Sequence, residues 1–268
     1  MQLIDGKLVS NLYFDSLKSK IDNSKTTLGL AIISVGNSVA SERYIKQKIK
    51  RADYLGVNCF HYHFDNVNEN DLIDLIHNLN SDDKVNGIIV QLPLPSYLNK
   101  DNILNSISPL KDIDGLRKDS SFIPCTPKGI LSLIDYYDID LKNKNILIIG
   151  RSNLVGMPLY NIFKNNNLNV NLAHSKTDNI DDLIMAADVI IIAIGNANFI
   201  KGNMIKNDVI IFDVGINVVN DKLCGDVDFD NVKDKVSMIT PVPGGVGPMT
   251  VYELFNNLYL AYERKTKI

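Results

Sequence analysis

Cysteine is scarce. The three that occur, Cys59, Cys125 and Cys224, lie far apart with no CxxC pair. That excludes a disulfide framework or a cysteine zinc site and fits a reduced, cytoplasmic compartment. A surplus of positive charge is also missing, with 28 Lys and Arg against 31 Asp and Glu, a net charge of −3 and no basic tail. No nucleic acid and no membrane is therefore expected as the main partner. Long apolar runs are absent too: the longest, "VIIIAI" (189–194), is far below a membrane span. The opening "MQLIDGKLVSNLYF" carries Asp5 early and lacks an unbroken apolar core, so no secretory leader is expected. What is present is 268 residues, 45% hydrophobic and 22% charged, enough for one large α/β domain or two smaller ones.

Strand-like and helix-like runs alternate, which predicts βα units and a mainly parallel sheet. "TLGLAIISVG" (27–36) reads as a strand, 38–55 as a helix, "VNCFHYHF" (57–64) as a strand and "ENDLIDLIHNLN" (69–80) as a helix. "VNGIIVQLPLP" (85–95) is a buried strand running into a proline-punctuated loop. The mixture of proline, glycine and charge in "SPLKDIDGLRKDSSFIPCTPKG" places a boundary near residue 120, and Thr126-Pro127 suits a helix start. Beyond it, "NKNILIIG", "LNVNLAHS", "ADVIIIAIG" and "NDVIIFDVG" are near-continuous apolar runs, as expected of strands covered on both faces. Three of them stop at Gly150, Gly195 and Gly215, where backbone can approach a ligand beyond the strand ends.

"IIGRSNLVGMP" (148–158) is a strand, a glycine turn and a helix start, a place whose amides suit a phosphate. Its spacing departs from G-x-G-x-x-G, since Gly156 is the next glycine after Gly150; alone it fits an ordinary strand–helix turn as well. The next strand ends in "AHSKT", without the acidic residue that holds the ribose of NAD. His174, Ser175 and Lys176, with Arg151 from the first turn, offer a hydroxyl and cations to a 2′-phosphate, so NADP is favoured over NAD. Lys176 reads equally as a solvated loop lysine.

In "SERYIKQKIK" (41–50), Tyr44 and Lys48 stand one helical turn apart at the edge of a stripe marked by Ile45, Ile49 and Ala52. The pair reads either as the lining of a cleft or as part of a solvated basic face with Arg43, Lys46, Lys50 and Arg51. The Tyr-x-x-x-Lys of short-chain dehydrogenases is excluded by order, because this pair precedes the glycine turn by about a hundred residues. Asp114 is either a ligand-binding carboxylate or a turn-forming Asp-Gly, and Gln91 either a site residue or a strand-end polar group. His61 and His63 share a strand face without a visible third ligand, so no metal is expected. Cys125 reads as a packing residue.

In order along the chain stand "VGNSVASERYIKQK", "GIIVQLPLP", "KDIDG", "PCTPKG", "GRSNLVGMP", "HSKT", "DVGIN" and "TPVPGGVGPMT". Together they resemble the bifunctional methylenetetrahydrofolate dehydrogenase/methenyltetrahydrofolate cyclohydrolase family, over nearly the whole chain. The resemblance implies oxidation of 5,10-methylenetetrahydrofolate with NADP⁺ and hydrolysis of the product to 10-formyltetrahydrofolate. It implies Lys48 as the central catalytic residue, Tyr44 as its neighbour lining the folate, Gln91 as its hydrogen-bond partner and Asp114 as the pterin anchor. It also implies NADP contacts from Gly150, Arg151, Ser152, His174, Ser175 and the Ile216 backbone. Pro248 and Thr250, in the last glycine-rich loop, close the site. A homodimer and a chain without a synthetase domain are further implications.

The fold expected is α/β in two lobes with a cleft between them. A folate-binding lobe of residues 1–120 is completed by a C-terminal helix (248–268), and a Rossmann-like NADP-binding lobe covers 121–247. Rival readings are a dehydrogenase-only relative, a shikimate-dehydrogenase-like oxidoreductase, and a non-catalytic NADP or folate sensor. The second would want a Gly-Gly pair in the nucleotide turn, which this chain lacks.

Overall fold

The computed structural model describes residues 1–266, and the side chains of all of these except Val39 and Ala40. The chain opens with β1 (Gln2–Leu3), α1 (Gly6–Ser24), β2 (Gly29–Val35), α2 (Val39–Leu55), β3 (Asn58–Phe64), α3 (Glu69–Ser81) and β4 (Gly87–Val90). It continues with α4 (Lys100–Ser106), α5 (Cys125–Tyr136), β5 (Ile146–Ile149), α6 (Gly156–Asn165), β6 (Val170–Ala173), α7 (Ile180–Ala186) and β7 (Val189–Ile192). It closes with β8 (Val209–Asp213), β9 (Asn217–Val219), β10 (Lys222–Cys224), α8 (Phe229–Val232), β11 (Val236–Ile239) and α9 (Val246–Thr266).

The residues fall into two compact units, Leu12–Cys125 with Val251–Ile268, and Met1–Asn11 with Thr126–Thr250. The first carries a three-stranded parallel sheet in the order β3-β2-β4, extended at its β4 edge by a bridge between Ile88 and Asp112. β2 and β4 are buried along their whole length, which explains their unbroken apolar sequence; β3, at the edge, alternates. A core of Ile33, Val35, Leu72, Ile76, Val90 and Ile103 lies on one face, under α3 and α4.

The second unit carries a six-stranded sheet in the order β1-β11-β8-β7-β5-β6, parallel in every pairing, with a separate β9–β10 hairpin. From β5 onward this is a doubly wound order, and the winding reverses between β5 and β7. Ligands bind such sheets beyond the carboxyl ends of the strands that flank the reversal.

Two expectations change. The segment 1–11 does not belong to the first lobe, because Gln2 and Leu3 pair with Met238 and Ile239 of β11. Pro248 and Thr250 are not in a loop: α9 begins at Val246, and Pro248 sits in its first turn, where the missing N–H costs nothing. The last two residues of the expected C-terminal helix, 267–268, lie outside the described residues. No helix among the described residues is long and apolar enough to cross a membrane.

Candidate active site

In the three-stranded unit, α2 is capped by the Ser38 hydroxyl, which accepts from Ser41 N at 3.4 Å, and ends at Gly56 with φ +68°. Ile45, Ala52 and Leu55 are its buried stripe, while Ile49 is only half-buried. Lys48, half-buried at the stripe's edge, donates from Nζ to Gln91 Oε1 at 3.0 Å. Gln91 follows β4 directly; its N–H continues the ladder to Ile33 O at 2.8 Å. Its side-chain amide is held by Leu92 O at 2.8 Å, so the oxygen is the atom turned to the lysine. Tyr44, one turn before Lys48, is 36% exposed, and burial raises its phenol above the ordinary tyrosine value against the opposing pull of Arg43.

Asp114 leaves the sheet two residues after the Asp112 bridge, on the edge that Gln91 also leaves. Its loop is tightly built. Gly115 has φ +74°, and a Cβ there would lie 2.8 Å from Pro124 N. The buried Asp112 accepts from Arg117 N at 3.0 Å, and burial raises its carboxyl above the usual range. Asn257 of α9 donates to Ile113 O at 2.9 Å and to Ile123 O at 3.4 Å. Cys125 is buried with Sγ toward Ile113 O at 3.3 Å, a packing position. Asn257 and Asp112 support Asp114 although neither drew notice in the sequence. Asn257 lies over 130 residues away from the carbonyls it meets, so only tertiary structure brings them together.

The basic face of α2 is solvated at Arg43, Lys46 and Lys50, with Lys46 beside Glu42 at 3.5 Å. His61 and His63 are exposed and meet the buried Ser34 hydroxyl at 2.9 and 3.1 Å. Burial, then the neighbouring His63, lowers the His61 pKa. Among the described residues no three His, Cys, Asp or Glu side chains gather as a metal site.

In the six-stranded unit, the turn after β5 lies at the point of reversal. Gly150 has φ +114°, and Gly156 starts α6 so close that its Cβ would fall 1.8 Å from Gly150 O. These two glycines have different reasons: the first needs the left-handed conformation, the second the close approach. Ser152 folds the turn, its hydroxyl accepting from Val155 N at 3.2 Å and its carbonyl from Met157 N at 3.0 Å. Arg151 and Ser152 are exposed. After β6, His174 N donates to Thr177 Oγ1 at 3.0 Å and Lys176 N to His174 Nδ1 at 3.1 Å, leaving Ser175 and Lys176 at the tip. Ile216 follows β8 and is 51% exposed, and Thr250 Oγ1 lies 3.2 Å from Thr126 Oγ1. A glycine turn at the switch point carrying exposed Arg151 and Ser152, with Ser175 and Lys176 exposed after β6, fits a dinucleotide with a 2′-phosphate.

Comparison with known proteins agrees with this geometry. Residues 4–114 match the family model "Tetrahydrofolate dehydrogenase/cyclohydrolase, catalytic domain", and residues 124–266 match the corresponding "NAD(P)-binding domain". The bifunctional protein FolD of Campylobacter hominis is 43% identical, covering 100% of this chain and 99% of its own. The crystal structure of the bifunctional FolD methylenetetrahydrofolate dehydrogenase/cyclohydrolase of Campylobacter jejuni superposes with a TM-score of 0.95 at 41% identity, over 99% of both chains. The Trypanosoma brucei FolD structure, in complex with NADP cofactor and an inhibitor, gives 0.94 at 29% identity over 99% and 98%. Two matching domain models in order, and full-length relatives above 40% identity, place this chain in the tetrahydrofolate dehydrogenase/cyclohydrolase family.

Proposed function

We propose that this chain performs both family reactions with Lys48, Tyr44, Gln91 and Asp114 as the folate site and with the β5 and β6 turns as the NADP site. It is an NADP-dependent methylenetetrahydrofolate dehydrogenase and methenyltetrahydrofolate cyclohydrolase of one-carbon folate metabolism. When bound, NADP⁺ supplies the acceptor for hydride from the one-carbon bridge. Gly150, Arg151, Ser152, His174, Ser175, Ile216 and Thr250 are the residues assigned to hold it. Arg151 and Ser175 are assigned to the 2′-phosphate, for which a guanidinium and a hydroxyl suit.

In the folate site, the ring nitrogens of the substrate carry the positive charge left on the methenyl carbon. Hydride loss therefore demands little base, and the protein's task is orientation. Asp114 accepts hydrogen bonds from the amino-pyrimidinone edge of the pterin and Tyr44 lines the folate; Pro248 is likewise assigned to the folate. Hydrolysis asks for more. Water attacks the methenyl carbon, a proton leaves that water, and a proton reaches the departing ring nitrogen. Lys48 in its neutral form takes one proton of the attacking water and, as ammonium, delivers it to the departing ring nitrogen, while the water's second proton leaves to solvent as the formyl carbonyl forms, so that one proton is released overall.

The observation that carries this reading is the 3.0 Å contact from Lys48 Nζ to Gln91 Oε1. Gln91 orients the amine without adding charge. Gln91→Glu tests it: a carboxylate there stabilises the ammonium, and cyclohydrolase turnover should fall about tenfold or more. Hydride transfer, followed as NADPH formation, should fall less. Equal losses in both reactions would mean that Gln91 only shapes the pocket. A homodimer and a cytoplasmic location complete the proposal.

A further inference from the structure

The loop after β7 offers three successive N–H groups to one point. Ile194 N and Gly195 N donate to Asp226 Oδ2 at 2.8 and 3.1 Å, and Asn196 N donates to Asp226 Oδ1 at 2.7 Å. Gly195, at φ +64°, turns the chain so that the amides converge, the kind of concavity that takes anions. Here the chain fills it with its own carboxylate. Asp226 is fully buried, and its Oδ1 also accepts from Asn217 Nδ2 at 3.0 Å. One side chain thus joins the loop after β7 to the residue that follows Ile216.

A second carboxylate stands behind the first. Asp213 Oδ1 accepts from Asp226 N and Gly215 N at 3.0 Å each, and its Oδ2 accepts from Val227 N at 3.0 Å. Two glycines make the space. A Cβ at Gly215 would lie 2.2 Å from Asp226 Cγ, and one at Gly225 would lie 1.8 Å from Asp213 Oδ2. The loop also abuts the phosphate turn, since a Cβ at Gly150 would lie 2.5 Å from Ala193 O.

We propose that Asp226 is a positioning residue for the cofactor. Its carboxylate occupies the anion-binding amides after β7 and fixes that loop to the Ile216–Asn217 segment. This leaves the glycine turn after β5 as the place for the NADP phosphates. The proposal rests on the nucleotide site assigned above. Without this carboxylate the nest stands open to an anion beside the true phosphate turn, and both loops lose their common anchor.

The test is Asp226→Asn in the full-length protein. Asparagine keeps the size but offers one oxygen, and its NH₂ faces N–H groups that need an acceptor. NADP⁺ binding is measured by calorimetry without folate, and amide hydrogen exchange is followed at 194–196 in the cofactor-free protein. Expected are a Kd for NADP⁺ weaker by about tenfold or more and faster exchange at those amides. The KM for NADP⁺ should rise while that for methylenetetrahydrofolate does not. An unchanged Kd with unchanged exchange would overturn the proposal. Where circular dichroism shows that Asp226→Asn does not fold, Asn217→Ala decides. Removing that one donor should weaken NADP⁺ by about threefold, and wild-type affinity would refute the clamp. If wild type binds no NADP⁺, the assigned nucleotide site fails; wild-type exchange at 194–196 in the cofactor-free variant would separately refute the anchoring role.

Discussion

The neighbourhood of each side chain decides its chemistry here more than its type does. Buried in one cluster with Asp226, Asp213 has its pKa pushed up to about 7, by burial first and by Asp226 in part, against three backbone N–H donors. Between about pH 4 and 7 the folded chain therefore holds a proton that the unfolded chain releases. Stability contributed at this site rises as pH falls through that window and is lost as pH rises toward 7. The difference in unfolding free energy between wild type and Asp213→Asn should slope by at most about 1.4 kcal/mol per pH unit there, read from urea titrations at several pH values. A flat difference would place the charged form in the fold at all these pH values. Cofactor choice is argued at the same scale. Arg151→Ala together with Ser175→Asp should move the preference from NADP⁺ toward NAD⁺ by about tenfold or more, measured as the ratio of kcat/KM. At this scale the run "SERYIKQKIK" marked Lys48 as a candidate while leaving open whether it was one more solvated lysine, and the structure adds its 3.0 Å contact with Gln91 Oε1. Asp226 was not legible, because its partners come from residues 194–196 and 217, and nothing local marks an acid that will be buried.

Elements carry the site residues through close backbone approaches and buried amide anchors. Gly156→Ala puts a methyl 1.8 Å from Gly150 O, which is backbone and cannot swing away. It should cost about 1–3 kcal/mol in denaturant titration and raise the KM for NADP⁺. Asn257→Ala leaves the buried Ile113 carbonyl without the amide that holds it at 2.9 Å. A cost of about 1–3 kcal/mol is expected, with a higher KM for methylenetetrahydrofolate and little change for NADP⁺. Strand positions were readable because buried parallel strands are continuous apolar runs: β2, β5, β7 and β8 each lie within such a run, though the ordered strands are shorter. β4 spans only Gly87–Val90, with the Gln91 N–H continuing its ladder to Ile33 O before the proline segment. The β9–β10 hairpin and the two-residue β1 gave no comparable signal. The hairpin exposes Val218 and Leu223, and β1 is too short for a period.

Across the whole molecule, the family motifs occur in order from residue 35 to residue 250, most at a strand end or helix start of their unit and KDIDG at the loop that bridges to β4. The domain models follow that order, and the three-dimensional comparisons cover nearly all of the chain. The assignment of residues 1–11 was not legible, since it depends on β1 joining the far edge of a sheet whose other strands begin at residue 146. Sedimentation should give twice the chain mass of 29.9 kDa if the proposed homodimer forms. Lys48 is the residue on which the proposed cyclohydrolase reaction depends. The most direct measurement follows 5,10-methylenetetrahydrofolate and NADP⁺ with wild type and Lys48→Met side by side, recording NADPH and the methenyl product separately. Wild type should make NADPH and clear the methenyl species, while the variant loses clearance by about a hundredfold or more. Clearance by Lys48→Met at the wild-type rate would contradict that role and leave Lys48 as one more lysine on the face of α2.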